Sequence, residues 1–202
     1  MPTERNKFYP FELSLLLAMC LVLLAGLRIG AQQQALAEKL VRLHVIAVSD
    51  NAGDQAVKLR VRDAVLARVE PVLDQAEDAA EAVGLLEEML PELERLARWV
   101  SGEGQVRVTL GRESYPTRHY EDFSLPAGVY TSLRIELGEA KGQNWWCVVY
   151  PPLCTGSVVE TVRETSALNE EDLRLITEDG EGYVIRFRLM ELWGELMEKI
   201  EQ

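Results

Sequence analysis

Hydrophobic and polar residues change rhythm along this chain, and each rhythm predicts an element. From Leu13 to Leu27 the sequence (LSLLLAMCLVLLAGL) is apolar almost without a break. A soluble core helix keeps a polar face for water, and this stretch has none. Leu40 to Val48 (LVRLHVIAV) alternates and is rich in β-branched residues, which predicts a strand; Ser49, Asp50 and Asn51 end it with helix-capping side chains. From Asp54 the period lengthens. Val57, Val61, Ala64, Val65 and Val69 recur at helical spacing, and Pro71 is expected to close this helix. A second helical stretch runs from about Asp78 to Val100, with Val83, Leu86, Leu90, Leu93, Leu96 and Val100 on one side. Pro91 is expected to split or kink it, because proline lacks a helical donor and crowds the preceding turn.

Beyond the stop at Ser101-Gly102-Glu103-Gly104 the pattern is strand-like. Gln105 to Leu110 alternates, Pro126-Ala127-Gly128 turns the chain into Val129 to Leu137, and Trp145 to Tyr150 is an apolar run too short for a helix. Residues 155–180 are polar and weakly patterned, the segment expected to be mobile. Tyr183 to Ile200 reads as a terminal helix, or a strand-like start running into one, on Phe187, Met190, Leu192, Trp193, Leu196 and Ile200. The expected fold is α/β or α+β, a single mixed domain with several strands and about three helices after an N-terminal hydrophobic export helix.

That first segment sets the compartment. Arg5 and Lys7 precede the apolar run, and Ala35-Leu36-Ala37 offers small residues where a signal peptidase reads. The expected division is therefore 1–37 as signal peptide or signal anchor and 38–202 as an extracytoplasmic domain. Cleavage is expected after Ala37; the alternative is an anchor over residues 8–29. The first 37 residues hold three of the 21 basic side chains and two of the 33 acidic ones, so the remainder carries −13. Such a charge opposes nucleic acid, whose binding needs cations to displace phosphate counterions, and opposes adhesion to anionic lipid. Of three cysteines, Cys20 lies in the export segment. Cys147 and Cys154 remain, an even pair seven positions apart, which in an exported domain points to a disulfide.

Candidate chemistry is sparse. His44 and His119 are the only histidines, and no metal-binding spacing occurs, so no metal, cofactor or small-molecule substrate is expected. His44 lies among apolar strand residues, where a hydrogen-bonded structural imidazole is expected; His119 is expected in a loop. A Cys147 nucleophile with a histidine base would define a cysteine hydrolase or transpeptidase, but a bridge to Cys154 would consume the thiol. Ser49, Asp50 and Asp54 read as a helix cap and first turn. Trp145 and Trp146 face opposite ways on a strand. Both rings are expected in the core; an exposed one would be a rigid anchor for a protein partner or a platform for wall glycan.

Arg42 to Asp50 (RLHVIAVSD), followed by Asp54 to Val65 (DQAVKLRVRDAV), resembles the opening of the stage II sporulation protein R family. Pro126 to Tyr130 (PAGVY), Gly142 to Cys154 (GQNWWCVVYPPLC) and Ile185 to Arg188 (IRFR) resemble the same family in the same order, with Val48 where the family usually has Asn. The resemblance implies a protein exported from the forespore into the space between forespore and mother cell. There it would activate, by contact, a membrane-embedded aspartic peptidase that processes the sigma-E precursor. It implies no catalytic residues. The residues expected to meet the partner are Asp50, Asp54, Gln55, Asn144, Trp145 and Trp146.

Overall fold

Our computed structural model describes residues 10–120, 123–154 and 167–177. Helix α1 (Pro10–Glu38) contains the whole apolar run and continues past it. After two intervening residues the chain enters β1 (Val41–Ile46). Helices α2 (Ala52–Leu73) and α3 (Ala79–Ser101) follow, then β2 (Val106–Tyr115), the two-residue strands β3 (Arg118–His119) and β4 (Ser124–Leu125), then β5 (Gly128–Leu137), β6 (Asn144–Tyr150) and α4 (Glu170–Thr177). The main sheet has the order β2-β5-β1-β6, and β3 pairs with β4 separately. β1 runs parallel to β5 and antiparallel to β6, while β2 and β5 are antiparallel. This is a single α+β domain, as expected, built on a mixed sheet.

The two faces of the sheet differ in chemistry. On one, Val41, Leu43 and Val45 of β1 stand beside Leu133 and Ile135 of β5, with Val106 and Val108 of β2 and Cys147 and Val149 of β6. Helix α2 lays Val61, Val65, Val69 and Leu73 on them, and α3 lays Ala82, Leu86, Met89, Leu93 and Ala97. These positions recur every three or four residues, so one stripe of each helix is removed from water. The opposite face carries a smaller cluster, where Leu36, Ala37 and Leu40 meet Tyr115, Tyr130, Leu125, Val148, Leu168 and Ile176.

Both prolines lie inside their helices: α2 runs two residues past Pro71 instead of closing there, and α3 continues through Pro91 without being split. The reason is placement. Pro71 and Pro91 are exposed, and so are Ala67 and Glu87, whose carbonyls each lose a partner and face water. Gly102 ends α3 in the left-handed region (φ 72°), with its N–H on the Arg98 carbonyl. A further departure is α4, within the stretch expected to be mobile. Asn169 and Asp172 cap it reciprocally, each backbone N–H donating to the other's side chain at 2.9 and 2.8 Å. The expected helix over Tyr183–Ile200, and residues 155–166 and 178–180, lie outside the described residues.

Candidate partner-contact surface

Five of the six contact residues expected from sequence come together beside two loops at one end of the sheet. The chain leaves β1 at Ile46 and reaches Asn51, the N-cap of α2; it leaves β5 at Leu137 and re-enters at Asn144, which pairs with Ile46. The loops are laced by backbone bonds. Lys141 N–H donates to the Val48 carbonyl (3.2 Å) and Gly142 N–H to that of Ala47 (2.9 Å). Gln143 N–H donates to Asp50 Oδ1 at 2.7 Å. The approach is so close at Gly142 that a Cβ would fall 2.3 Å from the Ser49 carbonyl oxygen. Only glycine fits there.

Under the loops, Lys58 Nζ donates to Gln55 Oε1 (2.6 Å) and the Gln143 carbonyl (3.0 Å). Burial lowers the Lys58 pKa; attraction to Asp50 opposes the shift and Arg62 adds to it. Asp54 is committed to structure. Its backbone N–H is capped by Asn51, and its Oδ2 accepts from Ser49 Oγ (2.6 Å) and Asn51 Nδ2 (2.8 Å). Gln55 likewise donates to the Ser49 carbonyl. Exposed at this end are Asp50, Asn144 and Trp145.

Trp145 corrects the expectation that both indoles are core. It is 36% exposed on the helical side of edge strand β6, with the Arg62 guanidinium 4.2 Å from its ring centroid. Trp146 points to the other face and is half-buried, beneath Arg118 (3.4 Å) and beside His44 (5.5 Å). The structure therefore groups Asp50, Asp54, Gln55, Asn144 and Trp145, and separates Trp146 from them.

Trp146 belongs to a polar seam that sequence spacing did not reveal. His44 is 5% exposed, with Nδ1 2.9 Å from Glu113 Oε1 and Nε2 2.9 Å from Asn144 Oδ1. It is the satisfied structural imidazole expected. Arg134 holds Glu113 and Glu136. Burial pushes the Glu113 carboxyl up, but the Ser132 hydroxyl, His44 and Arg134 together hold it below its ordinary value. Arg42 is fully buried; Nε donates to the Cys147 carbonyl (3.1 Å) and Nη2 to the Tyr120 hydroxyl (2.7 Å). Its guanidinium lies 4.3 Å from the Tyr115 ring and 5.0 Å from that of Tyr130, so aromatic faces receive the charge.

The geometry bears on nucleophilic chemistry too. Cys147 pairs with Leu43 and shares its face, whereas His44 pairs with Trp146 on the opposite face, so His44 is not placed to act as a base on Cys147. Cys147 instead meets Cys154, Cα atoms 5.7 Å apart, inside the range a disulfide requires. His119 lies on β3 instead of in a loop, its Nδ1 2.8 Å from Ser124 Oγ. Among the described residues no group of three or more His, Cys, Asp or Glu could hold a metal ion.

A sheet with helices on one face and a cationic aromatic seam on the other, behind an apolar N-terminal helix, defines an α+β domain attached to an export or anchor segment. The family model described as Stage II sporulation protein R (spore_II_R) matches residues 37–160, more than half of the chain, and the chain belongs to that family of sporulation proteins. It is 32% identical over 148 residues to the Stage II sporulation protein R of Bacillus subtilis (strain 168), a match spanning 66% of each chain, just under two thirds. The family name carries no enzyme activity. No solved structure matches the chain.

Proposed function

We propose that this protein is a forespore-to-mother-cell signal. In this reading it is exported to the space between the two cells and activates, by contact, a membrane-embedded aspartic peptidase that processes the sigma-E precursor. The observation that carries the contact reading is the loop end of the sheet. There Asp50 on the loop after β1, and Asn144 and Trp145 at the start of β6, are exposed beside loops whose own hydrogen bonds hold them in place. A preformed surface around an aromatic side chain binds with little ordering cost, and a ligand shifts its receptor's equilibrium by its differential affinity for the two states. The Cys147–Cys154 pair, oxidised outside the cytoplasm, ties the middle of β6 to the segment that follows it.

Co-expression of the full chain with the peptidase and the precursor in a heterologous host tests this reading. Cleavage that requires the chain, and falls at least tenfold with Trp145→Ala at equal protein level, is the expected result. Cleavage without the chain, or undiminished with the variant, sinks it. Titration of the exported, unreduced protein should find no free thiol at Cys147. A reactive Cys147 thiol would favour the rival hydrolase or transpeptidase. For the other rival, a peptidoglycan-binding module, purified wall material should not retain the chain; Arg118 already covers a face of the Trp146 ring.

A further inference from the structure

Helix α1 does two jobs along its length. From Phe11 to Leu27 its large side chains are exposed, Phe11 at 76% and Leu27 at 63%, and the helix is long and apolar enough to cross a membrane. At its other end the exposure vanishes: Leu36 and Ala37 are 0% and 1% exposed, and Leu40 just beyond is 0%. These three pack with Tyr115, Tyr130, Leu125 and Val148, and Gln33 approaches Gly128 of β5. Lys39 pairs with Asp172 of α4. The last turn of α1 is thus part of the folded domain, and only Lys39 and Leu40 separate it from β1, an interior strand.

We infer that α1 is retained as a transmembrane anchor and that its packed last turn is what protects the chain from signal peptidase. A peptidase takes its substrate as an extended segment, and the small-residue site Ala35-Leu36-Ala37 is helical, with its last two residues inside the second core cluster. Cleavage after Ala37 would remove Leu36 and Ala37 and leave Tyr115 and Tyr130 facing a void. The occupant of the exposed helical surface is the bilayer. Phe11 to Ile29 spans about 28 Å at 1.5 Å per residue, close to a hydrocarbon core of about 30 Å. Arg5 and Lys7 on the N-terminal side place that end in the cytoplasm and the domain outside. The helix from Gly30 to Glu38 then holds the domain within about 13 Å of the hydrocarbon boundary. Without a flexible linker, the domain reaches only proteins in its own membrane or one closely apposed.

The test uses the full chain with a C-terminal tag in a sporulating or other Gram-positive host and needs no peptidase partner, so its outcome is independent of the function proposed above. Intact-mass measurement of the carbonate-washed membrane fraction should recover the uncleaved chain, 22.8 kDa plus the mass of the tag, with less than a tenth of the tag in the soluble fraction. A soluble product beginning at Glu38 overturns the inference. A second variant, Gln34→Pro with Leu36→Ser, opens the last turn while keeping the apolar run. It should raise release of a product cut in this turn at least tenfold. Equal retention of variant and wild type would show that packing of the last turn does not protect the site, and overturns the inference as well.

Discussion

The two faces of the sheet are held by different kinds of force. Beneath α2 and α3 the contacts are apolar and non-directional; Leu43, Leu133, Ile135, Leu86 and Leu93 are each 0% exposed, and what matters is that volume is filled. On the other face Arg42, His44, Glu113, Ser132 and Tyr115 are tied through named atoms, and each bond holds only in one geometry. The first face tolerates a change of shape that conserves volume. The second does not tolerate a change of chemistry that conserves volume. That contrast also explains why a cation can be buried in the sheet: three tyrosine rings and two oxygen acceptors surround Arg42, so its desolvation is offset by contacts that an apolar replacement leaves unmade.

The largest effect should come from emptying the apolar face. Leu133→Ala, at the centre of the sheet, should cost about 2–5 kcal/mol in urea unfolding, while Leu133→Met should cost under about 1.5 kcal/mol. Arg42→Met is the matching experiment on the other face. It keeps most of the volume and removes the donors, stranding the Cys147 carbonyl and the Tyr120 hydroxyl, and should cost about 2–4 kcal/mol. If Arg42→Met were as mild as Leu133→Met, the seam would be ordinary packing and the contrast would collapse.

An intermediate effect separates the faces by pH. Because the folded Glu113 carboxyl titrates below its ordinary value, the native state binds fewer protons than the unfolded chain near pH 4. Its contribution is fully present above the unfolded pKa and is lost as pH falls through the folded one. Glu113→Gln should therefore cost about 1–3 kcal/mol at pH 7, and the gap to wild type should close in acid. Urea midpoints at pH 7 and in acid check this; a constant gap would refute the linkage. Leu133→Ala, with no titrating group, should show an unchanged gap over the same range.

The sequence revealed the apolar face far better than the seam. Alternation in β1 and the three-to-four spacing of Val83, Leu86, Leu90, Leu93 and Leu96 are local signals, so strand and helices are read directly. The partners of His44 are not local: Glu113 and Asn144 lie 69 and 100 residues away, joined only by the strand order, which spacing does not encode. Alternation predicts a strand only as far as Leu110, yet Gly111 to Tyr115 continue the pairing with β5. Pro71 does not close α2 and Pro91 does not split α3, since a lost helical bond costs little where water replaces it. The short helix α4 did carry a signal, the Asn169–Asp172 cap, but its eight residues are too few for periodicity to stand out. Of the contact residues, Asp50, Asn144 and Trp145 were legible as types, while their meeting at one end depended on the two loops being laced.

The smallest stability effect, and the sharpest division, should come from the adjacent tryptophans, which sample the two faces one residue apart. Trp146→Leu removes the ring between Arg118 and His44, and should cost about 2 kcal/mol, near the average for a half-buried aromatic with directional neighbours. Trp145→Leu removes an exposed ring whose main contact is Arg62, and should cost about 0.5–1 kcal/mol. Their effects on activation should run the opposite way once each variant is compared at equal folded protein. Trp145→Leu should impair precursor cleavage although the domain is nearly as stable as wild type, whereas Trp146→Leu should impair it only in proportion to unfolding. Urea melts of both variants alongside the co-expression readout decide the matter. Equal loss of cleavage at equal loss of stability would move the contact surface off the loop end and onto the seam.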